Sequence, residues 1–522
     1  MAAKYSRSLS DSDPENHMQS EIDDVSTSLD DLHIRWQKKV IRARVMLGVL
    51  TAICCILLVI LIITYESTRK HDKSCVPTLG RTPSNDDIMK FVHLADIHYD
   101  PFYNKTISRS NFCRSQGASN DTAKYIAEYG RIGCDSPASL IGNTLDAIKN
   151  VSVEEDVSFV LLTGDFSGHR MWTQYAGPQR VLDNIAYVSN QTHLRFSDIP
   201  VFPVVGNNDL PGHYVLPNST SDWYKKLLSY WEPLILCSGC PGSVKQPTTQ
   251  AVLEKSFLEG GYYKVSIAGG KMVLLVLNSL YWSAYVGGSA DIVGKAKRQL
   301  EWLETQLELA KSQGQKVMLA GHIPAGIDTY SNNPYWLSNY TNSFVSLVAK
   351  KYGDIVVGQF FSHTHKDDFR LHIPAADASA PQQDSAKSFA LLAPAISPVY
   401  QNNPAFRVMS LDMEQLSLLD YSQYYMDLVM ATEFSNPVWQ LDYIFSEKYS
   451  SSNKFLNADR IDELNQQLIN QTSHSFWKGY VFSRETNYQP MPYSRFNLYC
   501  AMRFVHLDDF NKCIGKYVVP GG

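Results

Sequence analysis

The sequence has no excess of positive charge and no internal repeat. Its 47 lysines and arginines are outnumbered by 52 aspartates and glutamates, for a net charge of -5. This balance argues against a generally basic surface, so no specific nucleic-acid partner is expected. Nothing recurs at the spacing of a solenoid, which excludes that class of architecture. The composition that remains, 44% hydrophobic over 522 residues, is that of an ordinary globular protein.

Residues 46–64 form a run without any charge (MLGVLTAICCILLVILIIT). A helix of this length, at about 1.5 Å per residue, crosses a bilayer core, so we expect a transmembrane signal anchor. A buried core helix is rarely so uniformly apolar, and a cleaved signal peptide has a shorter apolar part nearer the N-terminus. More basic residues precede the run than follow it, which predicts a type II orientation. Residues 1–45 are then a disordered cytoplasmic tail, and residues 65–88 a stalk.

Glycosylation signals and cysteines support the same orientation. Seven Asn-x-Ser/Thr sequons follow the run and none precedes it; they begin at Asn104, Asn120, Asn150, Asn190, Asn218, Asn339 and Asn470. Proximity in the chain suggests the disulfides Cys113 with Cys134, Cys237 with Cys240, and Cys500 with Cys513. Cys75 is left over in the stalk and would stay free or link two chains into a dimer. The bulk of the chain is therefore predicted to be lumenal or extracellular.

Short β-branched and aromatic runs alternate with helical stretches from residue 89 onward. We predict strands at 91–95, 157–163, 201–205, 317–320 and 355–361, a hairpin of 262–268 with 271–278, and helices at 137–150 and 292–312. This alternation is typical of α/β proteins built in layers. A catalytic domain is predicted over residues 89–415, and a mostly helical extension that carries the last two cysteines over residues 416–522.

Polar clusters follow five of these strands directly. They are Asp96-Ile-His98, Gly164-Asp165, Gly206-Asn207-Asn208-Asp209, Gly321-His322 and Ser362-His363-Thr364-His365. Each cluster alone has an ordinary explanation: a helix cap, a turn, or a histidine paired with a polar neighbour. Five together, all rich in Asp, Asn and His, are hard to explain by turns. Because strand ends meet at one edge of a sheet, the series predicts a ligand site there.

The donor types indicate metal catalysis. Carboxylate, imidazole and amide-oxygen ligands together suit zinc, with manganese or iron as alternatives, whereas calcium prefers oxygen alone and structural zinc prefers cysteine. A carboxylate between two ligand groups can bridge two cations about 3.5–4 Å apart, an arrangement that activates a water and stabilises in-line displacement at phosphorus. We therefore expect two divalent cations.

In this order the clusters resemble the calcineurin-like metallophosphoesterase superfamily, whose pattern is D-x-H, G-D, G-N-H-D/E, G-H and G-H-x-H. The fuller strings HLADIHYDPFY, LLTGDFSGH, FPVVGNNDLPGH, GHIPAG, GQFFSHTHKDDF and ISPVYQNNPAFRV are similar to its acid sphingomyelinase-like branch, which includes endopolyphosphatases. The resemblance implies a layered β-sandwich flanked by helices. It also implies one cation held by Asp96, His98 and His365, a second held by Asn207, His322 and His363, and a bridging Asp165.

The chain departs from the superfamily pattern at two positions. Asn208 stands where the usual catalytic histidine would be, and an amide cannot carry a proton at ordinary pH. His169, which matches another histidine of the sphingomyelinase-like branch, is the substitute proton donor, and His213 is a weaker candidate. The competing interpretation of His169 is an exposed loop histidine. Ser362 replaces a common glycine and should leave the ligands usable where the backbone accepts a β-carbon.

The substrate remains open between several classes. No cysteine-rich lipid-binding module, as in acid sphingomyelinase itself, separates the anchor from the catalytic domain, and the Gly-Asn-Asn-Asp form and the N-terminal anchor resemble the endopolyphosphatase members. Sphingomyelin and nucleotide phosphodiesterases are the enzyme alternatives, with a phospholipid head group or a nucleotide as substrate. The alternative that is not an enzyme is a receptor-like ectodomain built on an inactive hydrolase scaffold. The resemblance suggests a lysosome, vacuole or similar acidic organelle, and the cell surface is the other possible location.

Overall fold

In the computed structural model, the described residues are 88–517, without 115–122, 124, 238, 241, 245, 375–385 and 471–473. The predicted cytoplasmic tail, signal anchor and stalk, with Cys75, lie outside them. Among the helices of the described residues, we find none with the length and apolar character needed to span a bilayer.

Twelve strands form two six-stranded sheets in the described part of the chain. They are β1 Ile88–Leu94, β2 Val157–Leu162, β3 Val201–Pro203, β4 Tyr263–Ile267, β5 Met272–Val276, β6 Lys316–Ala320, β7 Val356–Phe361, β8 Asp368–His372, β9 Ser388–Leu392, β10 Ala405–Asp412, β11 Ser417–Met426 and β12 Trp439–Ile444. The strand orders are β12-β11-β10-β1-β2-β3 and β4-β5-β6-β7-β9-β8.

Each sheet contains a buried set of parallel strands, which lies at one end of the first sheet and in the middle of the second. Strands β1, β2 and β3 run parallel in the first sheet, and β5, β6 and β7 in the second. The β2 sequence VSFVLL is buried at every position, as expected for a parallel strand covered on both faces. Phe91 of β1 lies edge-on to Phe360 of β7, with ring centroids 5.3 Å apart, so the sheets pack face to face. This packing brings the carboxyl ends of the two parallel sets together.

Helices cover the outer faces of the sheets. They are α1 Ala138–Glu154, α2 Pro178–Arg195, α3 Trp223–Ile235, α4 Gln250–Gly260, α5 Ala290–Ser312, α6 Ser338–Val345, α7 Leu428–Phe434, α8 Phe445–Lys448, α9 Ala458–Ile469, α10 His474–Arg484, α11 Arg495–Arg503 and α12 Leu507–Gly515. Helix α5 begins after Ser289, whose side chain accepts a hydrogen bond from the Ile292 N–H and so caps the first turn. Its Leu303 and Leu307 are buried, as the spacing predicts.

The predicted layered α/β architecture is confirmed, with differences in its C-terminal part. All seven strands predicted from the sequence occur within a few residues of their expected bounds, and the hairpin turns at Gly269 and Gly270. The extension is mostly helical only after residue 444; before it, the short helix α7 lies between two strands. Strands β11 and β12 come first, and they complete the first sheet through antiparallel pairing with β10. The sequence of β11, SLLDYSQYYM, shows no clear alternation of apolar and polar residues, because several of its positions are aromatic.

The three predicted disulfides are confirmed. Their Cα–Cα distances are 5.9 Å for Cys113–Cys134, 5.6 Å for Cys237–Cys240 and 5.8 Å for Cys500–Cys513. Of the six sequon asparagines in the described residues, five are exposed and Asn104 is half-buried. Asn120 lies outside the described residues. The sequons thus stand on the surface, where a glycan can be accommodated.

Candidate active site

Seven side chains from the predicted clusters converge at the carboxyl ends of the parallel strands. Asp96 and His98 follow β1, Asp165 follows β2, Asn207 follows β3, His322 follows β6, and His363 and His365 follow β7. All are buried except His363, which is half-buried. The two sheets therefore supply the site jointly, with four of its members from the first sheet and three from the second.

The backbone is strained at five of these seven positions. Asp96, His98, Asp165, His363 and His365 have φ values of 52°, 46°, 56°, 71° and 59°, in the left-handed region that residues with a β-carbon seldom adopt. Such strain persists only where the surrounding structure enforces it, and it concentrates at functional sites. The left-handed residues therefore mark the strand ends as the functional part of the fold.

The first of two subclusters contains Asp96, His98 and His365. The Nε2 atoms of His98 and His365 lie 3.0 Å apart, and Asp96 Oδ1 is 3.5 Å from His365 Nε2 and 3.8 Å from His98 Nε2. Three donor atoms thus point at one small volume. The arrangement is that of three ligands around a common cation.

The second subcluster contains Asn207, His322 and His363, with Asp165 between the two groups. His322 Nε2 lies 2.9 Å from Asn207 Oδ1, and the His363 ring centroid is 5.2 Å from that of His322. Asp165 Oδ2 is 3.4 Å from His98 Nε2 and 3.3 Å from His322 Nε2. One carboxylate oxygen is therefore equidistant from both subclusters.

Backbone carbonyls fix the orientation of two imidazoles. His98 Nδ1 donates to the Ser167 carbonyl at 3.1 Å, and His322 Nδ1 donates to the Thr163 carbonyl at 2.8 Å. Each bond leaves Nε2 for the site, as is usual for metal-bound histidine. Ser362 lies outside the left-handed region, so its β-carbon fits, and its hydroxyl donates to the same Thr163 carbonyl at 2.6 Å.

Asp209 clamps the loops that carry Asp165 and Asn207. Its carboxylate accepts backbone N–H bonds of 2.8–3.2 Å from Asp165, Phe166, Ser167 and Gly206. Gly206 must lack a side chain, because a β-carbon there would lie 2.1 Å from Asp165 Oδ1. Burial, and then the charge of Asp165, raise the pKa of Asp209 to about 7. The sequence motif included Asp209, but its clamping role required the structure.

The electrostatics of the site favour bound cations. Burial lowers the pKa of His98 and of His322, but the neighbouring carboxylates, Asp165 foremost, together outweigh it and raise both pKa values to about 9. Asp96 Oδ1 and His365 Nδ1 are buried and have no hydrogen-bond partner among the described residues. The Asp165 carboxylate thus draws positive charge to both sides of itself, and unsatisfied donor atoms remain for a ligand. These residues fit two divalent metal ions.

His169 lies beside the first subcluster and has a carboxylate partner. Its ring stacks on His98 with centroids 4.1 Å apart, its Nδ1 lies 2.8 Å from Asp135 Oδ1, and its Nε2 lies 3.2 Å from the Tyr400 hydroxyl. At 2% exposure it is not the solvent-exposed loop histidine of the competing interpretation. Burial raises the pKa of Asp135, but His169, His98 and Arg114 together outweigh it and lower the pKa to about 2.

The other two catalytic candidates differ from His169. Asn208 Nδ2 donates to Asp165 Oδ2 at 2.9 Å, so this amide is tied to the carboxylate between the subclusters. His213 stacks on Trp172 with centroids 5.2 Å apart, and its neighbour Tyr214 has its hydroxyl 3.5 Å from His363 Nε2. The structure thus places Asn208 in the site. His213 lies outside it, and its sequence neighbour Tyr214 makes the contact with His363.

Asp135 and Tyr400 are members of the site that sequence reasoning did not identify. Asp135 directly follows Cys134, and Tyr400 lies in the quoted string ISPVYQNNPAFRV. Neither follows a strand of the parallel sets. Two signals could have indicated them. Asp135 is next to a cysteine of a predicted disulfide, and Tyr400 belongs to a string that resembles the sphingomyelinase-like branch.

Comparisons with known proteins agree with this geometry. Residues 89–367 match the calcineurin-like phosphoesterase family, and residues 387–519 match the acid sphingomyelin phosphodiesterase C-terminal region. The human cyclic GMP-AMP phosphodiesterase SMPDL3A is 28% identical over 78% of this chain and 84% of its own length. Human acid sphingomyelinase-like phosphodiesterase 3b is 27% identical over 81% and 90%. Sphingomyelin phosphodiesterase B of Dictyostelium discoideum is 27% identical over 72% and 57%.

The first match covers more than half of the chain and contains all seven converging residues. The second begins just before β9 and includes the helices at the C-terminus. The fold of this family implies a dinuclear metal site, and the Asp and His clusters described above are suited to one. This chain belongs to the calcineurin-like phosphoesterases, in their acid sphingomyelinase-like phosphodiesterase branch, and it is a phosphoester hydrolase.

Proposed function

We propose that this chain is a two-metal phosphodiesterase that acts outside the cytosol, with nucleotide phosphodiesters as its first substrate class. Asp96, His98 and His365 would hold one cation, Asn207, His322 and His363 the second, and Asp165 would bridge them. Zinc is the first candidate, and manganese or iron are the alternatives. The observation that carries the proposal is Asp165 Oδ2, which lies 3.4 Å and 3.3 Å from one imidazole nitrogen of each subcluster.

Bound cations would supply an activated water and neutralise charge on the phosphate oxygens. The protein's own groups would hold the site rigid: Asp209 fixes the backbone of Asp165, and carbonyls fix the rings of His98 and His322. Such preorganised groups need no rearrangement as charge develops at phosphorus.

His169 would give the proton to the departing oxygen. Its Nδ1–H donates to Asp135, which fixes the tautomer, stabilises the imidazolium and leaves Nε2 directed at the site. Asn208 cannot take this role, because an amide does not ionise at ordinary pH and its N–H is bonded to Asp165. A carboxylate–histidine pair is also common behind metal ligands, so cation content in His169→Ala decides between the two roles. Retention of both cations assigns His169 to proton transfer.

The aromatic residues beside His363 support a nucleotide substrate. Trp172, His213, Tyr214 and Tyr285 are half-buried and follow one another at centroid distances of 5.2, 4.5 and 5.3 Å. Half-exposed aromatic faces next to a phosphate site are suited to stacking on a base. The name of the human relative SMPDL3A points to the same substrate class. Sphingomyelin is the second candidate, from the name of the Dictyostelium relative, and polyphosphate is the third, from the Gly-Asn-Asn-Asp form and the predicted anchor.

The cellular location follows from the sequence features around the catalytic domain. We propose a type II membrane protein with its anchor at residues 46–64 and its catalytic domain in the lumen of a lysosome, vacuole or similar acidic organelle, or at the cell surface. Three disulfides and surface sequons support an oxidising, glycosylating compartment. Cys75 in the stalk would link two such chains.

A substrate panel on the purified full-length protein in detergent tests the proposal. Bis(4-nitrophenyl) phosphate, a cyclic dinucleotide, sphingomyelin and polyphosphate are assayed at acidic and neutral pH, with and without a chelator. We expect chelator-sensitive hydrolysis of the first two and restoration by zinc or manganese. Hydrolysis that the chelator does not affect would contradict the metal mechanism. A protein that binds no cation and cleaves none of the four would instead be the receptor-like scaffold.

A further inference from the structure

The residues directly after His365 are charged, buried and bonded to distant parts of the chain. Lys366, Asp367 and Asp368 are 7%, 2% and 2% exposed. Asp367 pairs with Arg407, Asp368 with Arg484, and Lys366 with Glu485. Each of these three consecutive residues thus has a counterion between 40 and 119 positions away, and Asp368 has a second one in the nearby Arg370. The loop of the metal-site histidines is fastened on one side by the C-terminal region.

Lys366 has a second hydrogen-bond acceptor besides Glu485. Its ammonium group donates to the Glu485 carboxylate and also to the backbone carbonyl of Tyr400, at 2.6 Å. Glu485 is held in turn by Tyr493, whose hydroxyl donates to it at 2.6 Å. The lysine therefore connects the C-terminal region to the segment that carries Tyr400.

Tyr400 contacts two members of the site through its side chain. Its ring lies edge-on to His365, with centroids 4.7 Å apart, and its hydroxyl is 3.2 Å from His169 Nε2. Nε2 is the nitrogen that would carry the transferred proton. A displaced Tyr400 would therefore move the partner of that nitrogen.

We propose that Lys366 is a positioning residue, which holds Tyr400 against His169 and transmits the placement of Glu485 in the C-terminal region to the proton donor. The inference rests on the proposed function, since it gives His169 that role. A buried ion pair by itself is weak support for stability, because apolar substitutes of similar volume often serve as well. What an apolar substitute cannot reproduce is the directed bond to the Tyr400 carbonyl.

The test is a kinetic cycle on the full-length protein with bis(4-nitrophenyl) phosphate. Lys366→Met/Glu485→Gln removes both charges and keeps an acceptor for Tyr493, which avoids a lone buried charge. Tyr400→Phe removes the hydroxyl that faces His169, and a third variant combines all three changes. Lys387→Met is the matched control, because Lys387 also joins the catalytic region to C-terminal carboxylates, those of Asp459 and Asp462.

We expect the double variant to keep two cations per chain and to lose on the order of tenfold to a hundredfold in kcat, with KM little changed. Tyr400→Phe should lower kcat as well. The kcat of the combined variant should be no lower than that of the less active parent variant, because both changes act through the same contact. Lys387→Met should retain wild-type kcat. Effects that multiply in the combined variant, an unchanged kcat in the folded double variant, or a loss of cations would each overturn the inference.

Lys366→Arg provides a second route in case the double variant does not fold. It keeps the ion pair but moves the donors, so kcat should fall in the wild-type background and remain unchanged in the Tyr400→Phe background. Equal losses in both backgrounds would overturn the inference. Inactivity of the wild-type protein, or activity insensitive to the chelator, would instead contradict the proposed function.

Discussion

The strand-end edge and the C-terminal region meet around residues 362–370, yet they use charge differently. At the edge, Asp and His side chains from short motifs point at one volume through strained turns and leave donor atoms without partners. In the C-terminal region, Arg484 and Glu485 are as deeply buried but are paired with Asp368 and Lys366. Unpaired buried polar groups mark a binding site, whereas paired ones hold elements in place. Substitutions at the strand-end edge should therefore reduce activity, whereas substitutions in the C-terminal region should reduce stability.

The largest effect is expected from Asp165→Ala at the edge. This carboxylate lies between the two subclusters, so its loss should remove both cations and reduce phosphodiesterase activity to the level of the chelated wild type. The fold should survive, because the clamp on this loop is Asp209, which bonds backbone groups. Activity, metal analysis and circular dichroism measure the three outcomes. An active Asp165→Ala protein would remove the distinction between the two regions.

His169→Ala should be the next most damaging change. Loss of a positioned proton donor typically lowers kcat by about 10²–10⁴-fold, and Asp135→Asn should cost roughly 10–100-fold because it disturbs only the partner. His193→Ala is the control, since His193 is an exposed histidine in the last turn of α2. Leaving groups of different acidity provide the readout: a substrate with a good leaving group should be spared in His169→Ala. A uniform loss for all leaving groups would argue against proton donation.

In the C-terminal region the expected loss is in stability. Arg484→Met leaves the buried Asp368 with Arg370 alone, and breaking a buried pair costs about 3–5 kcal/mol in the free energy of unfolding. Denaturant unfolding measures the change, and the exposed pair variant Lys454→Met, with its 67% exposed side chain, is the control. A stable Arg484→Met protein would show that this pairing does not hold the regions together.

The smallest expected effect is a loss of stability at low pH. Burial raises the pKa of Asp368, but Arg370 and Arg484 outweigh it and lower the pKa to about 2. Since the folded pKa lies below the unfolded value near 4, this stabilisation of about 2 kcal/mol is present above pH 4 and lost as the pH falls toward 2. The ionised Asp368 should therefore still stabilise the folded protein at the pH of acidic organelles. Unfolding titrations of wild type and Asp368→Asn should converge below pH 2; parallel curves would contradict the assignment.

The two regions also differ in how well the sequence predicted them. The strand-end motifs are local, because a buried strand followed at once by Asp, Asn or His carries both the element and its ligand. The pairs Lys366–Glu485 and Asp367–Arg407 join residues far apart in the chain, and no short motif predicts which charges meet. Strands β11 and β12 were missed for a related reason: their place in the sheet depends on pairing with β10. Asp135 reaches His169 through a loop outside the strand pattern.

Anomalous diffraction from crystals of the zinc-loaded protein, collected on both sides of the zinc absorption edge, tests the central claim most directly. The account predicts two peaks about 3.5–4 Å apart on either side of the Asp165 carboxylate. One peak would be bounded by Asp96, His98 and His365, and the other by Asn207, His322 and His363. The absence of peaks at these strand ends, or a single peak away from Asp165, would contradict it.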